Sequence, residues 1–131
     1  MITVESLDHL VLTVKNLEKT CEFYSQVLGM EIRSFGENRI AMHFGKQKIN
    51  LHEFGTVVDK NVRHATPGSA DLCFLTANAI EEVIRDLQDK GVNIIEGPVK
   101  RTGAQHAITS IYLYDPDENL IEIANQINEA E

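Results

Sequence analysis

Residues 5–29 read ESLDHLVLTVKNLEKTCEFYSQVLG, and the fold turns on how they are parsed. Leu, Val and Thr crowd 5–14, the composition of a strand. Asn16 follows as a predicted N-cap. Leu17, Thr20, Cys21, Tyr24 and Leu28 then recur three and four residues apart, which predicts an amphipathic helix over 17–28. Gly29 supplies the left-handed residue that commonly ends such a helix. Three short strands are predicted next, at 30–36, 39–44 and 47–53. Turns at Gly36-Glu37-Asn38 and Gly45-Lys46-Gln47 separate them. The first module, 5–53, is therefore β-α-β-β-β.

After a connector of mixed polarity (54–69, FGTVVDKNVRHATPGS), the order repeats. Residues 70–76 (ADLCFLT) predict a strand, Asn78 a cap, 79–90 a helix and Gly91 its end. Strands follow near 92–95, 107–114 and 119–125. Residues 96–105 are predicted as a loop, and Asp115-Pro116-Asp117-Glu118 as a turn. The second module is 70–126. A shift of 62 residues lays His9 on Asp71, Leu10 on Leu72, Asn16 on Asn78, Gln26 on Gln88, Gly29 on Gly91 and Ile32 on Ile94. One offset holding through strand, helix and next strand points to duplication. A duplicated module suits a fold in which neither half covers its own sheet face alone.

The chain carries 12 Lys+Arg against 20 Asp+Glu, a net charge of −8. That balance argues against a nucleic-acid partner, since a phosphate backbone is repelled without a local basic face. At 131 residues the length suits one domain, spanning 1–131, and excludes a multidomain enzyme. No apolar run approaches the ~20 residues of a membrane helix. The N-terminus has no basic segment followed by an apolar one, so the expected location is cytoplasmic. Cys21 and Cys73 sit in apolar patterns and are expected as two buried, reduced thiols.

Polar residues inside predicted strands are the candidates for chemistry. His9 interrupts Leu7, Leu10 and Leu12. His52 follows Ile49 and Leu51. Asp71 occupies the repeat position of His9, and Glu122 lies between Ile121 and Ile123. Two histidines with one or two carboxylates are a donor set for a divalent ion. His43, His64 and His106 have no comparable positional argument.

Three segments resemble a known family. LDHLVLTVKNLEKTCEFYSQVLGMEI is similar to the opening strand and helix of the vicinal-oxygen-chelate superfamily. INLHEFG is similar to the end of its first module, and SIYLYDPDENLIEIAN to its closing hairpin. The likeness covers about 5–126. PGSADLCF, EGPVKRTGA and SIYLYDPDENLIE are most similar to small two-module members, the glyoxalase-domain-containing 5 and biphenyl-diol dioxygenase-related proteins.

The resemblance implies an α+β fold with paired βαβββ modules and a cup-shaped mixed sheet. It implies one divalent metal ion (Ni, Zn, Fe, Mn or Co) on His9, His52 and Glu122. Asn50 lies two residues before His52 on the same strand face, an alternative register. Where the family usually carries His or Gln, this chain carries Asp71, expected as a base, a ligand or a mark of metal loss. The implied activity is of the glyoxalase or lyase type on a small oxygen-chelating substrate. Glu122 and Asp71 would be its catalytic carboxylates, and Arg101, Thr102 and Tyr112 its substrate contacts. An extradiol-type dioxygenase, a fosfomycin-type thiol transferase and a non-catalytic binding protein are the alternatives. A homodimer is the implied assembly.

Overall fold

In the computed structural model, which describes residues 1–128, the chain forms two units, Met1–Pro67 and the remainder from Gly68. The N-terminal unit contains β1 (His9–Val14), α1 (Leu17–Gln26), β2 (Glu31–Phe35), β3 (Arg39–Phe44) and β4 (Gln47–Glu53). Its sheet runs β1-β4-β3-β2, with β1 and β4 parallel and the other pairs antiparallel. The C-terminal unit contains β5 (Asp71–Leu75), α2 (Ile80–Asp89), β6 (Glu96–Thr102), β7 (Ala107–Tyr114) and β8 (Leu120–Gln126). Its sheet runs β5-β8-β7-β6 with the same parallel and antiparallel pattern. Neither helix is long and apolar enough to cross a membrane.

Strand alternation gives each sheet one apolar and one polar face. In the N-terminal unit, Leu12, Val14, Met42, Ile49 and Leu51 share the apolar face and are buried. Helix α1 packs there, and its Tyr24 is fully buried. In the C-terminal unit, Ile111, Leu113, Ile121 and Ile123 line the apolar face, with Ile80 and Leu87 of α2 also buried. Each such side chain contributes roughly 1.5–3 kcal/mol.

The helix starts show how a central strand holds a helix in place. At α1, Asn16 caps as predicted, its Oδ1 accepting from Lys19 N at 2.9 Å. Glu53, the last residue of β4, accepts from Leu17 N at 2.9 Å. At α2 the predicted cap is not the one used. Asn78 makes no cap bond, and the preceding residue of the helix is Ala79. Asn125 of β8 accepts from Ile80 N at 2.7 Å instead. The orphan N–H groups of a helix start donate to any well-placed oxygen, and here the oxygen comes from β8.

The strand predicted near 92–95 lies later, at Glu96–Thr102, where a loop was expected. Gly97 and Pro98 read as loop residues, yet this edge strand absorbs them with a register shift between Glu96 and Val99. Gly97 sits at φ +111°, where a Cβ would meet Ser110 O at 2.5 Å. The longer second module also changes the internal match. The first strands align at an offset of 62, but the strand pairings place Lys48 opposite His9 and Leu120 opposite Asp71. By the last strand the offset is 72, which equates Asn50 with Glu122 and Glu53 with Asn125. That the last two both cap a helix supports the equivalence.

Candidate functional site

The polar face of the N-terminal sheet carries His9, Val11 and Thr13 from β1, and Lys48, Asn50 and His52 from β4. Arg39, Ala41 and His43 come from β3, and Glu31, Arg33 and Phe35 from β2. His9 Nδ1 donates to Asp8 Oδ2 at 2.8 Å. In the neutral imidazole that bond puts the proton on Nδ1 and the lone pair on Nε2, the usual arrangement of a metal-binding imidazole. Asn50 is only 3% exposed, and its Oδ1 is buried with no hydrogen-bond partner. His52 Nδ1 is likewise buried and unpartnered. Two orphaned atoms on one face of one strand are unusual, because a buried polar atom costs about 1–3 kcal/mol when it lacks a partner.

The β1–β4 pairing sets His9 opposite Lys48 and His52 opposite Thr13. The two imidazoles therefore start four residues apart, about 13 Å along the ladder. Asn50 is only two residues along from Lys48, diagonal to His9, within reach of a shared ligand.

The polar face of the C-terminal sheet carries Asp71 and Cys73 from β5, Glu122 from β8, and Ser110, Tyr112 and Tyr114 from β7. Glu122 is flanked by Cys73 on one side and Tyr112 on the other. Its Oε2 accepts from Ser110 Oγ at 2.5 Å, and Ser110 is fully buried. Asp71 stands opposite Leu120, diagonal to Glu122, as His9 stands to Asn50. Cys73 is exposed rather than buried, against expectation, because the odd-numbered residues of β5 point to the polar face. Partial burial, the Glu122 carboxylate with its hydrogen bond to the thiol, and Asp71 together push Cys73 up to about 11. The sequence offered no reason to pair Cys73 or Ser110 with Glu122, since that pairing depends on the β5-β8-β7 order.

The expected substrate contacts divide. Tyr112 and Arg101 share the Glu122 face, but Arg101 is already engaged. Its Nε donates to Tyr112 OH at 3.0 Å and its Nη2 to Glu96 Oε2 at 2.6 Å. Thr102 pairs with Ala107 and faces the other side of the sheet from Arg101, so it does not join this group. The alternation of the strand makes neighbours such as Arg101 and Thr102 point apart.

Two β-α-β-β-β units with this register are matched by one family model over residues 6–123, that of the glyoxalase/bleomycin resistance protein/dioxygenase superfamily. The chain belongs to this superfamily. Its α+β architecture is the superfamily's own. A virulence protein of Salmonella typhimurium, STM3117, is 48% identical over 95% of this chain and 86% of its own. The glyoxalase domain-containing protein RDO1 of Mycosarcoma maydis is also 48% identical, over 95% of this chain and 70% of its own. A solved structure from the mobile metagenome of V. Pseudocholerae is 50% identical, with a TM-score of 0.95 over 98% of this chain and 99% of that one.

Proposed function

We propose that this superfamily member is a divalent-metal-dependent enzyme of the glyoxalase or lyase type, acting on a small substrate with adjacent oxygen atoms. The observation that carries the reading is a matched diagonal pair in each unit: His9 with Asn50, and Asp71 with Glu122. Among the described residues no three His, Cys, Asp or Glu side chains gather into a metal-sized group. The superfamily resemblance supports His9, Asn50 and Glu122 as the ligands of the ion. Asn50 takes the place expected of His52, because its pairing makes it the counterpart of Glu122 and its buried oxygen lacks a partner. An oxygen-rich set of this kind favours Mn(II) among the candidate metals.

When bound, the ion would polarise a substrate carbonyl and stabilise enolate character. The remaining work falls to the chain. Ser110 and the Cys73 thiol hold the Glu122 carboxylate in place. Asp71 makes no hydrogen bond among the described residues and is exposed, so it is the carboxylate available to take and return the proton. Tyr112, braced by Arg101, orients the substrate. A two-histidine iron site for ring cleavage would need His9 and His52 on one ion, and their four-residue separation weighs against it.

The test is proton exchange. Mn(II)-loaded protein is incubated in D2O with α-hydroxy ketones such as hydroxyacetone, and deuterium uptake beside the carbonyl is followed by NMR. The reading expects exchange that Asp71→Asn abolishes while metal content stays unchanged. Exchange unaffected by Asp71→Asn would refute the role given to Asp71, and its absence with every metal would refute the activity. We also read the assembly as a homodimer, for which light scattering should give twice the 14.7 kDa chain mass.

A further inference from the structure

In a chain of net charge −8, the polar face of the N-terminal sheet has the opposite sign. Arg33, Arg39 and Lys48 share it with a single carboxylate, Glu31. That carboxylate is already taken by Arg33, whose Nη2 donates to it at 2.8 Å. Arg39 and Lys48 have no carboxylate partner among the described residues. Both heads instead converge on one ring: Lys48 Nζ lies 4.0 Å and Arg39 Cζ 4.5 Å from the centroid of Phe35.

A ring face attracts a cation, but two cations drawn to the same ring repel each other. An oxyanion would relieve that repulsion. Arg offers a planar fork and Lys a mobile point charge, the usual pairing for a carboxylate or phosphate group. His52 and Asn50 share this face and hold the two buried side-chain atoms without partners. A neutral imidazole can present an N–H at its Nδ1, and an amide can turn either its oxygen or its NH2 toward a ligand. Charge without counter-charge and polar atoms without partners thus fall on the same face of one sheet.

We propose that this face is an oxyanion-binding site, with Arg39 and Lys48 as its charged donors and His52 as a neutral one. The group it takes is a carboxylate or phosphate carried by a small molecule. The proposal rests on the function above only in assigning that anion to the substrate; the site itself needs no metal. It also sets aside the bias against anionic ligands that the overall charge suggests, because local charge governs binding at short range.

The experiment is isothermal titration of the full chain with inorganic phosphate and, separately, with malonate, at constant ionic strength. Arg39→Gln and Lys48→Gln keep most of each stem over Phe35 and remove the charge. Each is expected to weaken binding about tenfold, while Arg63→Gln, on the connector, leaves it unchanged. Circular dichroism checks that the variants fold. A stronger response to phosphate or to malonate decides which oxyanion the site takes. No binding of either probe, or binding that survives both Gln substitutions, overturns the proposal. Metal content measured on the same samples separates the two readings. Anion binding without metal leaves this site standing and removes the metal-enzyme reading, and metal without anion binding does the reverse.

Discussion

Asn119 ties together the two strands that carry Asp71 and Glu122, and replacing it with alanine should loosen both. The side chain is fully buried. Its Oδ1 accepts from Ala70 N at 2.8 Å, immediately before Asp71. Its Nδ2 donates to Asp115 Oδ2 at 2.8 Å, at the start of the turn that leads into β8. Asp115 in turn accepts from the backbone N–H groups of Asp117 and Asn119 at 2.9 and 3.0 Å. Asn119→Ala removes both side-chain bonds. The neutral bond to Ala70 contributes about 1 kcal/mol and the bond to the charged Asp115 about 2 kcal/mol, so the loss is about 3 kcal/mol. For a chain of this length that corresponds to a fall of about 10 °C in Tm. Urea unfolding followed by circular dichroism measures it, with the denaturant slope expected to stay constant. A loss below about 1 kcal/mol would refute the view that this amide clamps the β5–β8 start.

Three further outcomes follow from the same geometry. Asn125→Ala should cost about 2 kcal/mol in the same unfolding experiment, because it removes the α2 cap bond to Ile80 N and the donations to the Thr76 and Asn78 carbonyls at 2.9 and 2.7 Å. Asn78→Ala, by contrast, should leave α2 intact. Gly97→Ala should destabilise by about 2 kcal/mol or more, since the new Cβ would meet backbone atoms of both Ser110 and Ile111 at a φ that L-residues avoid. With Cys73 held at about 11, its thiolate at pH 8 is roughly 100-fold scarcer than that of an ordinary thiol, and iodoacetamide should label it correspondingly slowly in chelator-treated protein. Glu122→Gln should speed that labelling. Because the folded value lies above the unfolded one, the stability linked to Cys73 is present below about pH 9 and is lost as pH rises toward 11.

The elements were largely legible because periodicity reports which face is buried. The edges of β3 and β4 fall where the alternation of Ile40, Met42, Ile49 and Leu51 places them. Strand β6 was not legible. Its Gly97-Pro98 start carries loop chemistry, and only its pairing with β7 makes it a strand. The helix cap at α2 was hidden for a related reason, since Asn125 is 45 residues from the N–H it caps. The site followed the same rule. His9, Asp71 and Glu122 stood out as polar residues in apolar strands. Asn50 stood out less than His52, because its equivalence to Glu122 appears only once both registers are known. Cys73 looked like a core residue until strand order set it beside the Glu122 carboxylate, with Ser110 bonded to that carboxylate from the other side.

The most direct test of the central claim is elemental analysis of the untagged protein, purified without chelator, beside His9→Ala, Asn50→Ala, His52→Ala and Glu122→Ala. The account predicts about one divalent ion per chain, lost in the His9, Asn50 and Glu122 variants and retained in His52→Ala, with all four still folded by circular dichroism. Retention in Glu122→Ala, or absence of any ion from the parent protein even after incubation with Mn, Ni, Zn, Fe and Co, would contradict it.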